Sequence, residues 1–278
     1  MIKQSILILL VLSNYFVFGQ KVVPLNFGVK ISINSKYLKD KNDIWIKLPE
    51  DFRKHRDSCS ILILLDGDEY FGAAVNTQKF YQIDNKMPAT IIVAIPSTTE
   101  SRWRDYTPTH SKNFTGNEEY NDLFELTGNF SRFANFVEKE VIRLVEKRYR
   151  VTLINKTIFG HSLGGLAVMS FYRLRPAIFN NYICASPSLL WNNFMFNKFY
   201  EKDYPKNSIN KRKIFFSSGN PDMREYKNAV ENLYKSLKAK TVDPDKYLKY
   251  IHYETEDHAA SGIRSLIDGL EFVYSKSK

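Results

Sequence analysis

"KTIFGHSLGGLAVMSFYRL", Lys156 to Leu174, decides how the chain is read. A short apolar run, Lys156 to Phe159, leads into Gly160-His161-Ser162-Leu163-Gly164-Gly165, and a helical stretch follows. The spacing predicts strand, tight turn and helix, with Ser162 at the apex of the turn. Glycines at 160 and 164 keep Cβ atoms out of the space between strand and helix, and Gly165 adds room. The hydroxyl then projects near a helix N-terminus, where the backbone dipole favours negative charge. The G-x-S-x-G pattern is short, and at average composition about one chain in ten of this length matches by chance. Its surroundings must therefore decide.

Outward from it, buried strands alternate with helical periods. "SILILLDG", "ATIIVAIP", "KTIFG", "NYICAS", "KIFFSSG" and "YLKYIHYE" are short runs that read as strands, most of them apolar throughout as if buried on both faces. Helices are predicted over Glu69–Tyr81, Leu163–Leu174, Glu225–Lys238 and Ser261–Tyr274. Another follows from the i, i+3, i+4 stripe Phe133, Phe136, Val137, Val141, Leu144, Val145. This alternation predicts an α/β fold, a mostly parallel central sheet with helices on both faces. "FGVKISI" and "DIWIKLP" alternate at period two and would add an antiparallel N-terminal edge. Pro108 to Asn129 is the one long irregular piece, as lids are.

In such a sheet ligands bind at the carboxyl ends of the strands. A serine hydroxyl needs a base to attack. Of the five histidines, His258 lies just after the last strand and before the last helix. His161 should diverge from Ser162 on the sharp turn, His55 sits in a charged run, His110 in the irregular piece and His252 within a strand. The base needs a carboxylate to hold its tautomer. Asp222 follows the strand "KIFFSS", with Glu225 behind it, and the other use of Asp222 is a helix N-cap. The order Ser162, Asp222, His258 is that of α/β-hydrolases. Two N–H groups must hold the developing oxyanion. Leu163, after the nucleophile, supplies one, and Gly67, with Asp68 close behind, the other. Asp66, Asp68 and Glu69 read as helix-dipole partners, and no metal or cofactor is expected.

The ends and the composition set the wider frame. Lys3 followed by an apolar run to Phe18 reads as a signal peptide over 1–19, leaving one domain over 20–278. That implies an exported protein, periplasmic or secreted, with no membrane span in the mature chain. The formal charge is 40 − 30 = +10. It suits a lysine-rich solvated surface or attraction of anionic substrates. No basic cluster interleaved with aromatics marks a nucleic-acid groove. Cys59 and Cys184 are the only cysteines, and the strand around Cys184 favours two buried free thiols over a disulfide.

"LLDGDEYF", "RWRDYTPT", "GHSLGG", "ASPSLLWNN" and "DHAASGIRSLIDGLEFVY" together resemble the putative-esterase family of α/β-hydrolases, from about Asp43 onward. Within it they are most similar to the siderophore-esterase branch, relatives of S-formylglutathione hydrolases and feruloyl esterases. The resemblance implies the α/β-hydrolase fold, Ser162 as nucleophile, His258 as its histidine and Asp222 at the acid position. In that branch the acid can be dispensable. It further implies that Arg102 or Arg104 meets an anionic group of the substrate, the alternative being an ion pair with Asp105. Trp191 and Asn192 either line the acyl pocket or pack. The implied reaction is hydrolysis of a small-molecule or carbohydrate ester through an acyl-enzyme. An acyltransferase, or a binding protein without turnover, would use the same fold.

Overall fold

The computed structural model describes residues 27–50, 52–111, 121–202, 212–219 and 224–275. The expected signal peptide, Asp222 and residues 112–120 lie outside the described residues.

The apolar runs form strands β1 (Val29–Asn34), β2 (Lys41–Lys47), β3 (Cys59–Leu65), β4 (Thr90–Ile95), β5 (Leu153–His161), β6 (Asn181–Ala185), β7 (Lys213–Ser218) and β8 (Leu248–His252). They make one sheet in the order β1-β2-β4-β3-β5-β6-β7-β8. β1 pairs antiparallel with β2, and β2 antiparallel with β4, while every later pair is parallel. The antiparallel edge and parallel centre thus appear as the patterning predicts. All seven residues of β3 and all six of β4 are buried, whereas β1 at the edge exposes four positions and half-buries the other two.

Helices are α1 (Gly67–Ile83), α2 (Thr99–Tyr106), α3 (Asn121–Phe124), α4 (Phe130–Phe136), α5 (Arg143–Tyr149), α6 (Leu163–Leu174), α7 (Trp191–Lys202), α8 (Arg224–Lys238), α9 (Pro244–Tyr247) and α10 (His258–Tyr274). They divide between the two faces because strand side chains alternate. Leu62 and Leu64 of β3 pack with Tyr70 and Phe71 of α1 and Leu266 and Leu270 of α10. Ile61, Ile63 and Leu65 point the other way, into a core built by α4, α6, α7 and α8. Among the described residues no helix is long and apolar enough to cross a membrane.

Three departures from the sequence patterning stand out. A π-helical turn, Val137–Ile142, joins α4 to α5. Ile142, outside the expected stripe, is buried there, and Leu144, on it, is only half-buried. Glu140 of that turn accepts from Ser35 Oγ (2.6 Å) and Lys36 N (2.9 Å), tying it to the loop between β1 and β2. α2 was not foreseen; it starts with a capping box in which Ser101 N donates to Thr98 Oγ1 (3.2 Å) and Thr98 N to Ser101 Oγ (2.8 Å). α7 opens through Asn192, Asn193 and Phe194, all left-handed.

Candidate active site

The parallel strands end level with one another. Leu65 pairs with Ile95, Leu64 with Phe159, His161 with Ala185, Cys184 with Phe216 and Ser218 with His252. The residues that follow these ends, Asp66-Gly67, Ser162, Ser186 and Gly219, therefore line one edge of the sheet.

Ser162 has φ 56° and ψ −116°, a positive φ that an L-residue adopts only at a cost of about 1–3 kcal/mol. Surrounding bonds hold it there. Its N–H donates to Ala185 O (2.9 Å), and its carbonyl accepts from Ser188 N (3.0 Å) and Leu166 N (3.1 Å). Close approach of the backbone explains the glycine two residues earlier, since a Cβ at Gly160 would overlap the carbonyl oxygen of Gly164. The Ser162 side chain is half-buried, with Oγ 3.4 Å from Ser188 Oγ. Ser188 was not singled out in the sequence; its place directly after a buried strand is the signal that marks it.

His258 is the first residue of α10, behind the N-cap Asp257, whose carboxylate accepts from Ala260 N (2.7 Å). Its ring lies 4.6 Å from that of His161, the neighbour of Ser162, tilted by 45°. His161 is buried and its ring is also edge-on to Tyr70 at 6.2 Å. A chain of hydroxyls fastens the start of α10 to the strand ends. Ser186 Oγ meets Ser261 Oγ (3.0 Å), Ser217 Oγ meets Ser265 Oγ (2.6 Å), and Ser186 N donates to Ser217 Oγ (3.2 Å). The remaining histidines serve elsewhere. His252 Nδ1 bonds Ser218 Oγ (2.8 Å), His110 Nδ1 meets Thr127 Oγ1 (3.2 Å), and His55 is exposed.

Gly219 and Tyr226 both come near the start of α10. A Cβ at Gly219 would stand 2.9 Å from Asp257 O, and the Tyr226 ring is 6.5 Å from the His258 ring. Glu225, the second acid considered, is exposed in the first turn of α8 and lines an outer groove with Phe194 and Asn197 of α7.

Gly67 and Leu163 are the first residues of α1 and α6, so their N–H groups have no intrahelical partner. They follow β3 and β5, which are adjacent in the sheet. Close packing against β4 demands glycine at 67. A Cβ there would sit 2.6 Å from both Ala94 Cβ and Ile95 N of β4.

The two arginines separate. Arg104 pairs with Asp105 through Nε and Nη2, both at 2.8 Å. Arg102 instead grips Asp66, with Nε at 2.9 Å and Nη2 at 3.2 Å. Trp191 is fully buried and stacks on Phe124 at 6.0 Å, its Nε1 donating to Thr109 Oγ1 (3.1 Å). Asn192, half-buried, donates to the same oxygen (3.1 Å). Among the described residues no group of three or more His, Cys, Asp or Glu is arranged to hold a metal ion.

The family model described as "Putative esterase" matches residues 35–262. The ferri-bacillibactin esterase of Bacillus subtilis (strain 168) is 30% identical over 141 residues, which cover 48% of each chain. The chain spans about half or less of the length of the curated relatives it matches. Among solved structures, a BES protein from Bacillus cereus superposes with a TM-score of 0.74 at 22% identity, covering 91% of this chain and 98% of that one. An IroE-like serine hydrolase from Shewanella oneidensis gives 0.73 at 23% identity, covering 88% and 79%. The fold is that of the α/β-hydrolases.

Proposed function

The chain belongs to the putative-esterase family, and from that premise we propose that it is a serine carboxylic-ester hydrolase. The observation that carries this is the strained Ser162, held at the end of a central strand beside a helix that begins with His258. Ser162 Oγ attacks the ester carbonyl while His258 takes its proton. The Gly67 and Leu163 N–H groups hold the tetrahedral oxyanion. His258 then passes the proton to the leaving alcohol, and water, activated by the same imidazole, releases the acyl group. Asp222 orients His258. Its place in the sequence supports this role, since it falls after β7 and ahead of His258 in the order Ser162, Asp222, His258.

The substrate class is a siderophore ester. Support comes from relatives named as esterases of ferri-bacillibactin, triacetylfusarinine C, enterobactin and apo-salmochelin. The excess of ten positive charges would draw anionic esters of this kind. The protein acts after export, as the apolar N-terminal run indicates.

The test is Ser162→Ala. Hydrolysis of p-nitrophenyl acetate and of a catecholate trilactone should fall by roughly 10⁴-fold or more, with loss of fluorophosphonate labelling. His258→Ala should be comparably damaging and Asp222→Ala milder. Turnover that survives Ser162→Ala would sink the proposal.

A further inference from the structure

Asp66 occupies an unusual place. It follows the last residue of β3, precedes Gly67, and has left-handed angles of φ 51° and ψ 51°. An aspartate at such a position commonly caps its helix, yet this side chain makes no cap hydrogen bond. It is 3% exposed and its carboxylate is spent on other groups. Oδ1 accepts from Arg102 Nε (2.9 Å) and from Ser97 Oγ (2.5 Å), and Oδ2 from Arg102 Nη2 (3.2 Å). Its backbone N–H donates to the buried Tyr106 hydroxyl at 3.2 Å. Arg102 and Tyr106 are four residues apart and so share one face of α2, which grips Asp66 by side chain and backbone together.

The carboxylate also abuts the serine turn. A Cβ at Gly164 would stand 3.1 Å from Asp66 Oδ2 and 3.6 Å from Leu65 Cβ. Asp66 therefore links the two N–H groups: its backbone leads directly into Gly67, and its side chain reaches the backbone that follows Leu163. An isolated negative charge there would oppose a developing oxyanion. The Arg102 guanidinium, bound through two parallel hydrogen bonds, cancels that charge and fixes the carboxylate's orientation. Burial alone would lower the Arg102 pKa, but the Asp66 charge and hydrogen bonds outweigh it and raise it. Arg102 thus keeps its positive charge beside Asp66.

We propose that Arg102 and Asp66 are positioning residues, which set the Gly67 N–H against the Leu163 N–H and keep the oxyanion hole free of net negative charge. This rests on the serine-esterase function proposed above. It also gives Arg102 a task other than meeting the substrate.

The experiment measures kcat and KM separately, on neutral p-nitrophenyl acetate and on an anionic catecholate trilactone. The variants are Arg102→Gln, Arg102→Lys, Asp66→Asn and the double variant Arg102→Gln/Asp66→Asn. Misplacing one donor costs on the order of 10- to 100-fold in rate. Arg102→Gln should lower kcat by that factor on both substrates, with KM changed by less than about twofold. Arg102→Lys, which keeps the charge but loses the fork, should fall between it and wild type. The double variant should recover part of the loss, since no lone carboxylate remains beside the hole. A rise in KM confined to the trilactone, with kcat unchanged, would overturn the proposal and make Arg102 a substrate contact. So would a double variant as slow as the product of its two single losses. Should Arg102→Gln fail to fold, the Lys variant and Asp66→Asn still decide, through the same kcat-against-KM split. Ser162→Ala is run alongside. Turnover surviving there counts against the esterase function, whereas full kcat in the Arg102 variants counts against the pair alone.

Discussion

At the scale of single residues, the site depends on backbone positions that reject a side chain. Gly160→Ala would drive a methyl into the Gly164 carbonyl, part of the backbone that opens α6, with no flexible side chain to yield. Such overpacking should cost about 2–3 kcal/mol, read as a lower urea midpoint, and activity should fall further than stability because Ser162 is displaced. The residues proposed to carry chemistry were legible because each sits where a strand stops or a helix begins: Ser162 after β5, His258 at the start of α10, Gly67 after β3. The Asp66–Arg102 pair was not. Its members are 36 positions apart, and charged residues of both kinds are common along the chain. Only the packing of α2 on the strand ends selects this pairing, and it leaves Asp105 to Arg104.

Among the elements, the central strands were readable because burial on both faces demands unbroken apolar runs, β1 and β2 because they alternate at period two, and the long helices because their stripes repeat. α2 escaped notice since "TESRWRDY" has little apolar content and is set by its cap and its ion pairs. The start of α7 escaped for another reason: nothing local announces three successive left-handed residues, which Thr109 and Ser111 help to hold through Asn192. α2 also yields a pH prediction. Burial holds the Asp105 carboxyl above its ordinary range, although Arg104 pulls it down. The folded state thus binds this proton more tightly than the unfolded one. Its contribution to stability is present at low pH and is lost as pH rises through the raised value. Thermal melts of wild type and Asp105→Asn from mildly acidic to neutral pH should show a steeper fall in wild type.

For the molecule as a whole, the two cysteines test how the sheet is assembled. Cys59 opens β3 and Cys184 lies on β6, with β5 between them. Cys59 pairs with Leu153 at the start of β5 and Cys184 with Gly160 near its end, so besides two strand spacings they are offset by roughly 20 Å along the strands, far beyond the span of a disulfide. Both are buried thiols, and burial raises the pKa of each, that of Cys184 most. Reductant should leave the melting temperature unchanged, and a thiol reagent should count two reactive groups only after denaturant is added. The docking of α10 has a kinetic meaning as well. His258 enters with the last helix, whose Leu266 and Leu270 must find a face already formed by β6, β7 and α1. Contacts of such long sequence separation close late in folding. On the proposed role of His258, the nascent chain is therefore catalytically silent, however much of its sheet has condensed, until its C-terminal helix arrives. In a refolding time course, the return of hydrolysis clocks that arrival.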